Sequence, residues 1–245
     1  MSAKQVVELL NFQWIHGEPS KSLDRAGVLV HVFDNTEASE PWLPCPQTSW
    51  CARFGDRISA SMINQHLPGM FAANGFPPTG IVLSSQLTRV LCSYFADGGS
   101  MNKQCDGPPT EGCVPGCIDK SHHWCDSRDV RVFDRNVDVY HCAYTPEDLD
   151  AMLQRHLVHQ PGSYNELIVD TRPLEPNLPD AIVAVFFSTG NGFKEHERRA
   201  AAVKARGVYD AFNRRYFARG RFRTPLVSVD LDARGKAAAF RLVAD

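Results

Sequence analysis

The second half of the chain alternates between short apolar runs and one long amphipathic run. Residues 181–187 are apolar throughout, which is typical of a buried, central strand. A stripe of apolar side chains at helical spacing then predicts a long helix over residues 194–219. The stripe consists of Ala201, Ala205, Val208, Phe212 and Tyr216. Residues 225–231 return as a strand, so the strand–helix–strand order predicts a βαβ-like unit with parallel strands, and residues 237–243 can pair with it.

Two further elements are predicted just upstream of this unit. Thr145-Pro146-Glu147-Asp148 has the composition of a helix start, with a capping residue, a proline and acids in the first turn. Apolar residues at helical spacing continue the helix to about Leu157, and Pro161-Gly162 ends it. Residues 164–169 then predict a strand.

The first half has shorter apolar runs that are separated by glycine and proline. Residues 26–33 are apolar and β-branched, which predicts a buried strand. Residues 57–66 predict a helix, because Asp56 can cap it and Ile58, Met62, Ile63 and Leu67 can form its inner stripe. Four more strands are predicted as two hairpins, residues 79–85 with 89–95 and residues 130–133 with 137–144.

These elements predict an α+β fold that leans towards α/β, with one mixed β-sheet covered by helices. No linker is evident, so we expect residues 1–245 to form a single globular domain. Within it, residues 1–144 form a strand-rich and loop-rich part that carries the cysteines, and residues 145–245 form a helix-and-strand part.

Charge and composition exclude several classes of protein. The net charge of −2 predicts no general attraction to nucleic acid, and no apolar run is long enough to cross a bilayer. Residues 1–17 lack the apolar core of a signal peptide. The compartment therefore depends on the cysteines: secreted or lumenal if they are paired, with a leader not present in this chain, and otherwise cytoplasmic. The oligomeric state cannot be predicted from these patterns.

All eight cysteines lie between Cys45 and Cys142, and they allow three interpretations. Residues 97–129 are rich in turns, so disulfide bonds that restrain this loop are the favoured interpretation. Zinc is the second, because thiolates and an imidazole lie close together in sequence, and free structural thiols are the third. The alternative zinc ligands are Cys113, Cys117, His122 and Cys125.

A glycine-containing loop between the strand at 181–187 and the long helix is the candidate binding loop. Its residues are Ser188, Thr189, Gly190, Asn191 and Gly192. Unpaired N–H groups at a helix start suit a phosphate or carboxylate, and residues 194–223 carry ten basic against three acidic residues. The alternatives are an ordinary strand–helix connection and a solvated basic helix face. Neither nucleotide-binding glycine motif is present.

Four polar residues near predicted strand ends are the candidate catalytic residues: His31, Asp34, Asp97 and Glu166. Histidine is the usual acid or base near neutral pH, and carboxylates can act as bases or metal ligands. The run Tyr164-Asn165-Glu166 before Leu-Ile-Val resembles the glutamate-bearing strand of ADP-ribosyltransferases over about eight residues. The resemblance implies a ribose-binding role for Glu166. The alternatives are a core histidine, a turn at Asp97 and a solvent-facing glutamate.

Three functions are consistent with these features. The first is a small-molecule hydrolase or group-transfer enzyme, in which the 188–192 loop holds an anionic group and zinc is the one cofactor considered. The second is a non-catalytic, disulfide-stabilised secreted or surface binding module, in which loop tryptophans could bind carbohydrate. The third is a zinc-stabilised interaction domain. The expected ligand of the first function is small and polar or anionic.

Overall fold

The structure is a computed structural model, and it describes the following parts of the chain. They are residues 1–18, 23–33, 57–65, 79–94, 131–132, 141–142, 166–170, 174, 177–190, 193–217, 223–230 and 239–245. The helices of these parts are α1 (Ala3–His16), α2 (Leu23–Ala26), α3 (Leu178–Ala181) and α4 (Glu195–Tyr216). The strands are β1 (Val28–Val32), β2 (Arg57–Ile63), β3 (Thr79–Leu83), β4 (Arg89–Tyr94), β5 (Arg131–Val132), β6 (His141–Cys142), β7 (Glu166–Asp170), β8 (Ile182–Ser188), β9 (Leu226–Val229) and β10 (Phe240–Ala244).

One mixed sheet joins the two parts of the chain. Six strands follow the order β10-β9-β8-β3-β1-β2, and β7 and β4 extend the sheet beyond β2. Strands β8 and β9 are parallel, and the other six neighbouring pairs are antiparallel. A mostly antiparallel sheet covered by helices is typical of the α+β class. The α+β part of the predicted fold class is therefore confirmed.

Helices cover both faces of this sheet, and each face therefore has its own apolar core. On one face, α1 inserts Leu10 and Trp14 among Val28, Phe186 and Phe240 of the sheet. On the other face, the buried stripe of α4 packs against alternate residues of the same strands. Its members are Ala201, Ala205, Val208, Tyr209 and Phe212. Strand β8 lies between these two layers and contributes side chains to both cores, which is why it contains no charged residue.

The predicted βαβ-like unit is confirmed. Strand β8 leads into α4, and β9 returns parallel to β8 with Ser188 paired to Val229. Strand β10 then pairs antiparallel with β9, as the sequence predicts. A side-chain hydrogen bond fastens the helix to the sheet, because the Thr79 hydroxyl donates to the carbonyl oxygen of Ala201 at 3.2 Å.

The helix predicted over residues 57–66 is wrong, because Arg57–Ile63 is strand β2. The apolar positions 58, 62 and 63 suit a helical stripe, but Ala60 and Met62 also alternate with Ser61 and Ile63 towards opposite faces. A seven-residue run carries too little periodicity to separate the two structures. Pairing with β1 on one side and β7 on the other favours the strand.

The hairpin predicted for residues 79–95 is also wrong, although both of its strands exist. Strand β3 pairs with β1 and β8 in the middle of the sheet, whereas β4 pairs with β7 at the far edge. All residues of β3 are buried, which is typical of a central strand. A central strand has a paired strand along each of its two edges. Proximity in sequence therefore does not decide the pairing.

Other predictions have mixed outcomes. Strands β5 and β6 pair antiparallel, and β7 forms where the sequence predicts a strand. Helix α1 was not predicted, and the helix predicted over residues 145–157 lies outside the described residues. Among the helices that the structure describes, none combines the length and apolar character needed to span a bilayer.

Candidate functional site

Strands β1, β8 and β9 finish at the same end of the sheet. Strand β3 runs antiparallel to both β1 and β8, and β9 runs parallel to β8, so β1, β8 and β9 all point in one direction. Val32, Ser188 and Val229 mark where they finish, and Thr79 marks where β3 begins. We call this the carboxyl end of the sheet. Open sheets often bind ligands at such an end, because the loops that leave the strands gather there.

His31 lies on the α4 face near the carboxyl end. It pairs with Ile81, which belongs to the apolar core beneath α4, and residues paired across strands share a face. The imidazole is half-buried, and its ring meets the Phe33 ring edge-on with 5.8 Å between centroids. The absence of a side chain at Gly80 allows β3 to lie this close to β1, since a Cβ atom at Gly80 would lie 2.1 Å from the His31 carbonyl oxygen.

A lysine from α4 reaches the same aromatic ring. The Lys204 ammonium nitrogen lies 6.0 Å from the Phe33 ring centroid, within the range of a cation–π contact. His31 and Lys204 therefore share Phe33 as a common neighbour on the α4 face. Lys204 belongs to the basic segment noted in the sequence, but no sequence pattern distinguishes it from the other basic residues of α4.

The first half of the candidate binding loop uses its own hydrogen-bond groups. The Thr189 N–H and hydroxyl both donate to the Val229 carbonyl oxygen, at 2.9 and 3.3 Å. The Gly190 N–H donates to the buried hydroxyl oxygen of Ser188 at 3.3 Å. These contacts are those of an ordinary strand–helix connection closed by Ser and Thr side chains. The predicted anion-holding role of the loop thus gains no support from these two amides.

Two glutamate side chains of the helix itself lie at the start of α4. The Lys194 N–H donates to a Glu197 carboxylate oxygen at 2.7 Å, and Glu195 pairs with Arg199 one turn later. Carboxylates in the first turn already complement the positive end of the helix dipole. The exposed arginines Arg214 and Arg215 lie in the last turn, where they complement the negative end.

The described candidates do not form one cluster. His31 lies on the α4 face, whereas Ser188 pairs with Val229, which packs against α1 on the opposite face. Glu166 begins β7 and pairs with Tyr94, and β2 separates β7 from β1. Because neighbouring strands are about 4.8 Å apart, two strand spacings keep Glu166 on the order of 10 Å from β1.

The remaining candidates lie outside the described residues. They are Asp34, Asp97, Asn191, Gly192 and the alternative zinc ligands Cys113, Cys117, His122 and Cys125. In the parts of the chain that the structure describes, no group of three or more His, Cys, Asp or Glu residues is arranged to hold a metal ion. The catalytic set and the zinc set therefore stay predictions.

One polar residue at the carboxyl end was missed in the sequence. Asp230 follows β9 directly, and its N–H extends the strand pairing by donating to the Ala239 carbonyl oxygen at 2.9 Å. Its Oδ1 atom is buried and has no hydrogen-bond partner among the described residues. An acid that ends a strand is visible in the sequence Leu-Val-Ser-Val-Asp, but the burial of one oxygen is not.

Comparison with known proteins identifies no family for this chain. No model of a known protein family matches the chain, and a search of curated proteins finds no relative.

Proposed function

We propose that the chain is a small-molecule hydrolase or group-transfer enzyme with its site at the carboxyl end of the sheet, on the α4 face. The observation that supports this proposal is the arrangement of His31 and Lys204 around Phe33. An imidazole can transfer protons at neutral pH, and an ammonium group can balance the charge of an anionic substrate group. Phe33 is itself buried in the core beneath α4, so its ring holds the two side chains in place.

In this proposal His31 acts as the general acid or base, and its position depends on the sheet. Its backbone is held by pairing with β3, where Gly80 allows close approach, and its ring is held against Phe33. A half-buried imidazole is shielded enough to be oriented yet still accessible to a substrate. Lys204 holds the anionic group, a role that the sequence analysis assigned to the 188–192 loop.

Turnover of chromogenic substrates tests the proposal. Para-nitrophenyl phosphate, para-nitrophenyl acetate and a para-nitrophenyl glucoside represent three classes of transferable group, and release of para-nitrophenol reports the reaction. We expect turnover of at least one of them and a preference for the anionic phosphate. His31→Gln should lower kcat/KM by about 100-fold or more, in the range of general acid–base catalysis. Lys204→Met should raise KM for the phosphate about tenfold, because it removes one charge contact.

Matched substitutions on α1 control for effects on charge and folding. His16→Gln and Lys4→Met change the same residue types at exposed positions on the other side of the sheet, and both should leave kcat/KM unchanged. Absence of turnover with all three substrates would contradict the proposal. Equal kcat/KM in wild type and His31→Gln would do so as well.

A further inference from the structure

Thr79 lies where the two elements that carry the proposed site meet. It begins β3 at the carboxyl end of the sheet, and its carbonyl oxygen accepts the Phe33 N–H at 2.8 Å. Its hydroxyl donates to the Ala201 carbonyl oxygen of α4 at 3.2 Å. One residue therefore bonds both to the segment that carries His31 and to the helix that carries Lys204.

The bond from the hydroxyl acts on the turn of α4 that carries Lys204. Ala201 and Lys204 are three residues apart, so they are neighbours on successive positions of the helix surface. Apolar contacts are not directional, so the buried stripe of α4 does not by itself fix how far the helix lies along the sheet. A hydrogen bond requires a defined distance and angle, and this one therefore fixes the position of the turn.

The acceptor does not need this bond, which points to placement as its role. A carbonyl oxygen inside a helix ordinarily accepts the N–H of the residue four positions later, so α4 can satisfy the Ala201 oxygen alone. The Thr79 hydroxyl is buried, with the residue 4% exposed, and a buried hydroxyl without a partner is unfavourable. A valine would fill the same space in a strand without that requirement.

We propose that Thr79 is a positioning residue that holds Lys204 beside Phe33 and so sets the preference of the site for substrates with an anionic group. This inference rests on the proposed function, because it takes Lys204 as the group that binds the anion. The distance concerned is the 6.0 Å between the Lys204 ammonium nitrogen and the Phe33 ring centroid. Without the hydroxyl bond the turn can shift along the sheet, and the ammonium group then moves relative to His31.

A matched set of variants tests this role. Thr79→Val removes the hydroxyl and keeps the branched shape, whereas Thr79→Ser keeps the hydroxyl. Thr224→Val is the control, because Thr224 is also 4% exposed and its hydroxyl donates to the Ile182 carbonyl oxygen at 3.3 Å, at the opposite end of the sheet. All four proteins are compared by thermal unfolding and by turnover of the anionic and neutral chromogenic substrates.

The two substrates should respond differently. We expect Thr79→Val to raise KM for para-nitrophenyl phosphate about fivefold, because the charge contact is displaced but not removed. Its kcat, and both constants for the neutral para-nitrophenyl acetate, should stay within about twofold of wild type, as should all constants of Thr79→Ser and Thr224→Val. A loss of stability alone would lower both activities together, so the difference between the substrates separates positioning from folding.

NMR tests the placement without turnover. In wild type, the Thr79 hydroxyl proton should exchange slowly and give a cross-peak to Ala201, and the Lys204 side chain should give cross-peaks to the Phe33 ring. Thr79→Val should weaken the second set by at least about half and raise the Kd for inorganic phosphate about fivefold. Thr79→Ser and Thr224→Val should keep both at the wild-type values.

Three results would overturn the inference. They are a rapidly exchanging Thr79 hydroxyl in wild type, unchanged Lys204–Phe33 cross-peaks in Thr79→Val, and an equal change in Thr224→Val. The first needs no variant, so it decides even if Thr79→Val does not fold. If Thr79→Val behaves as wild type while His31→Gln loses turnover, the positioning role is wrong and the enzyme proposal stands. If no substrate is turned over but the cross-peaks and phosphate binding respond to Thr79→Val, the enzyme proposal is wrong and the positioning role stands.

Discussion

The side-chain amide of Asn11 pairs with the backbone of Phe240 as a neighbouring strand would. Its Nδ2 donates to the Phe240 carbonyl oxygen and its Oδ1 accepts the Phe240 N–H, both at 2.9 Å. Strand β10 is an edge of the sheet, and edge strands expose backbone groups that can pair with another chain. Asn11 thus closes part of this edge and fixes α1 over the sheet with the same two bonds.

Loss of the Asn11 amide should destabilise the protein. Asn11→Ala removes both bonds and leaves the partly buried Phe240 backbone without these partners, at a cost of about 1–2 kcal/mol in the free energy of unfolding. Glu8→Ala, one turn earlier and exposed, should change it by less than about 0.5 kcal/mol. Urea unfolding of both variants measures the difference, and equal midpoints would contradict the role of Asn11.

A second asparagine makes the same kind of contact at the other end of the βαβ-like unit. The Asn213 amide exchanges two hydrogen bonds of 3.0 Å with the Thr224 backbone and donates to the Tyr209 carbonyl oxygen at 3.1 Å. All of these groups are buried. Asn213→Ala should therefore cost about 2–4 kcal/mol, because it leaves buried backbone groups unpaired. Arg214→Ala, the exposed neighbour, should cost less than about 0.5 kcal/mol in the same unfolding experiment.

Two glycines should respond in opposite ways to the same substitution. A Cβ atom at Gly80 would lie 2.1 Å from the His31 carbonyl oxygen and 2.8 Å from the Phe186 ring, so Gly80→Ala should cost at least about 3 kcal/mol. Gly207 is exposed within α4 with open space around it, so Gly207→Ala should stabilise the protein by about 0.5–1 kcal/mol. Thermal unfolding of the two variants gives the signs, and a stable Gly80→Ala protein would contradict the strand packing beside His31.

The parts of the fold that were predicted correctly are those with long or uniform patterns. Five apolar positions at helical spacing identified α4, and a continuous apolar run identified β8. Strand β2 was mistaken for a helix because its seven residues satisfy both periods, and the neighbours that decide between them are distant in sequence. The separation of β3 from β4 likewise depends on their pairing with strands that are distant in sequence. The turn residues between β3 and β4 do not indicate that pairing.

The sequence predicted the place of His31 in the fold, near the end of a strand, and the register brings β1, β8 and β9 to one end of the sheet. The catalytic role of His31 stays a prediction. The contact of Lys204 with Phe33 and the burial of an Asp230 oxygen depend on which face of the sheet a residue occupies and on how the chain covers it. Both are properties of the folded arrangement, so a linear pattern of residue types does not contain them.

The state of the cysteines is a separate prediction. If disulfides restrain residues 97–129, alkylation of the denatured, unreduced protein should label almost none of the eight cysteines, and prior reduction should expose all of them. Intact mass spectrometry counts the labels, and metal analysis of the same sample tests zinc. Eight labelled cysteines without reduction would contradict the disulfide interpretation, and a bound zinc ion would then favour the interaction domain.

The most direct test of the account is an amide chemical-shift map of the ¹⁵N-labelled protein titrated with a library of small polar fragments. We predict that the largest shifts cluster at the carboxyl end of the sheet, at Phe33, Thr79, Thr189 and Asp230. Shifts concentrated instead at the opposite end, around Leu83 and Thr224, would contradict the location of the site and with it the proposed function.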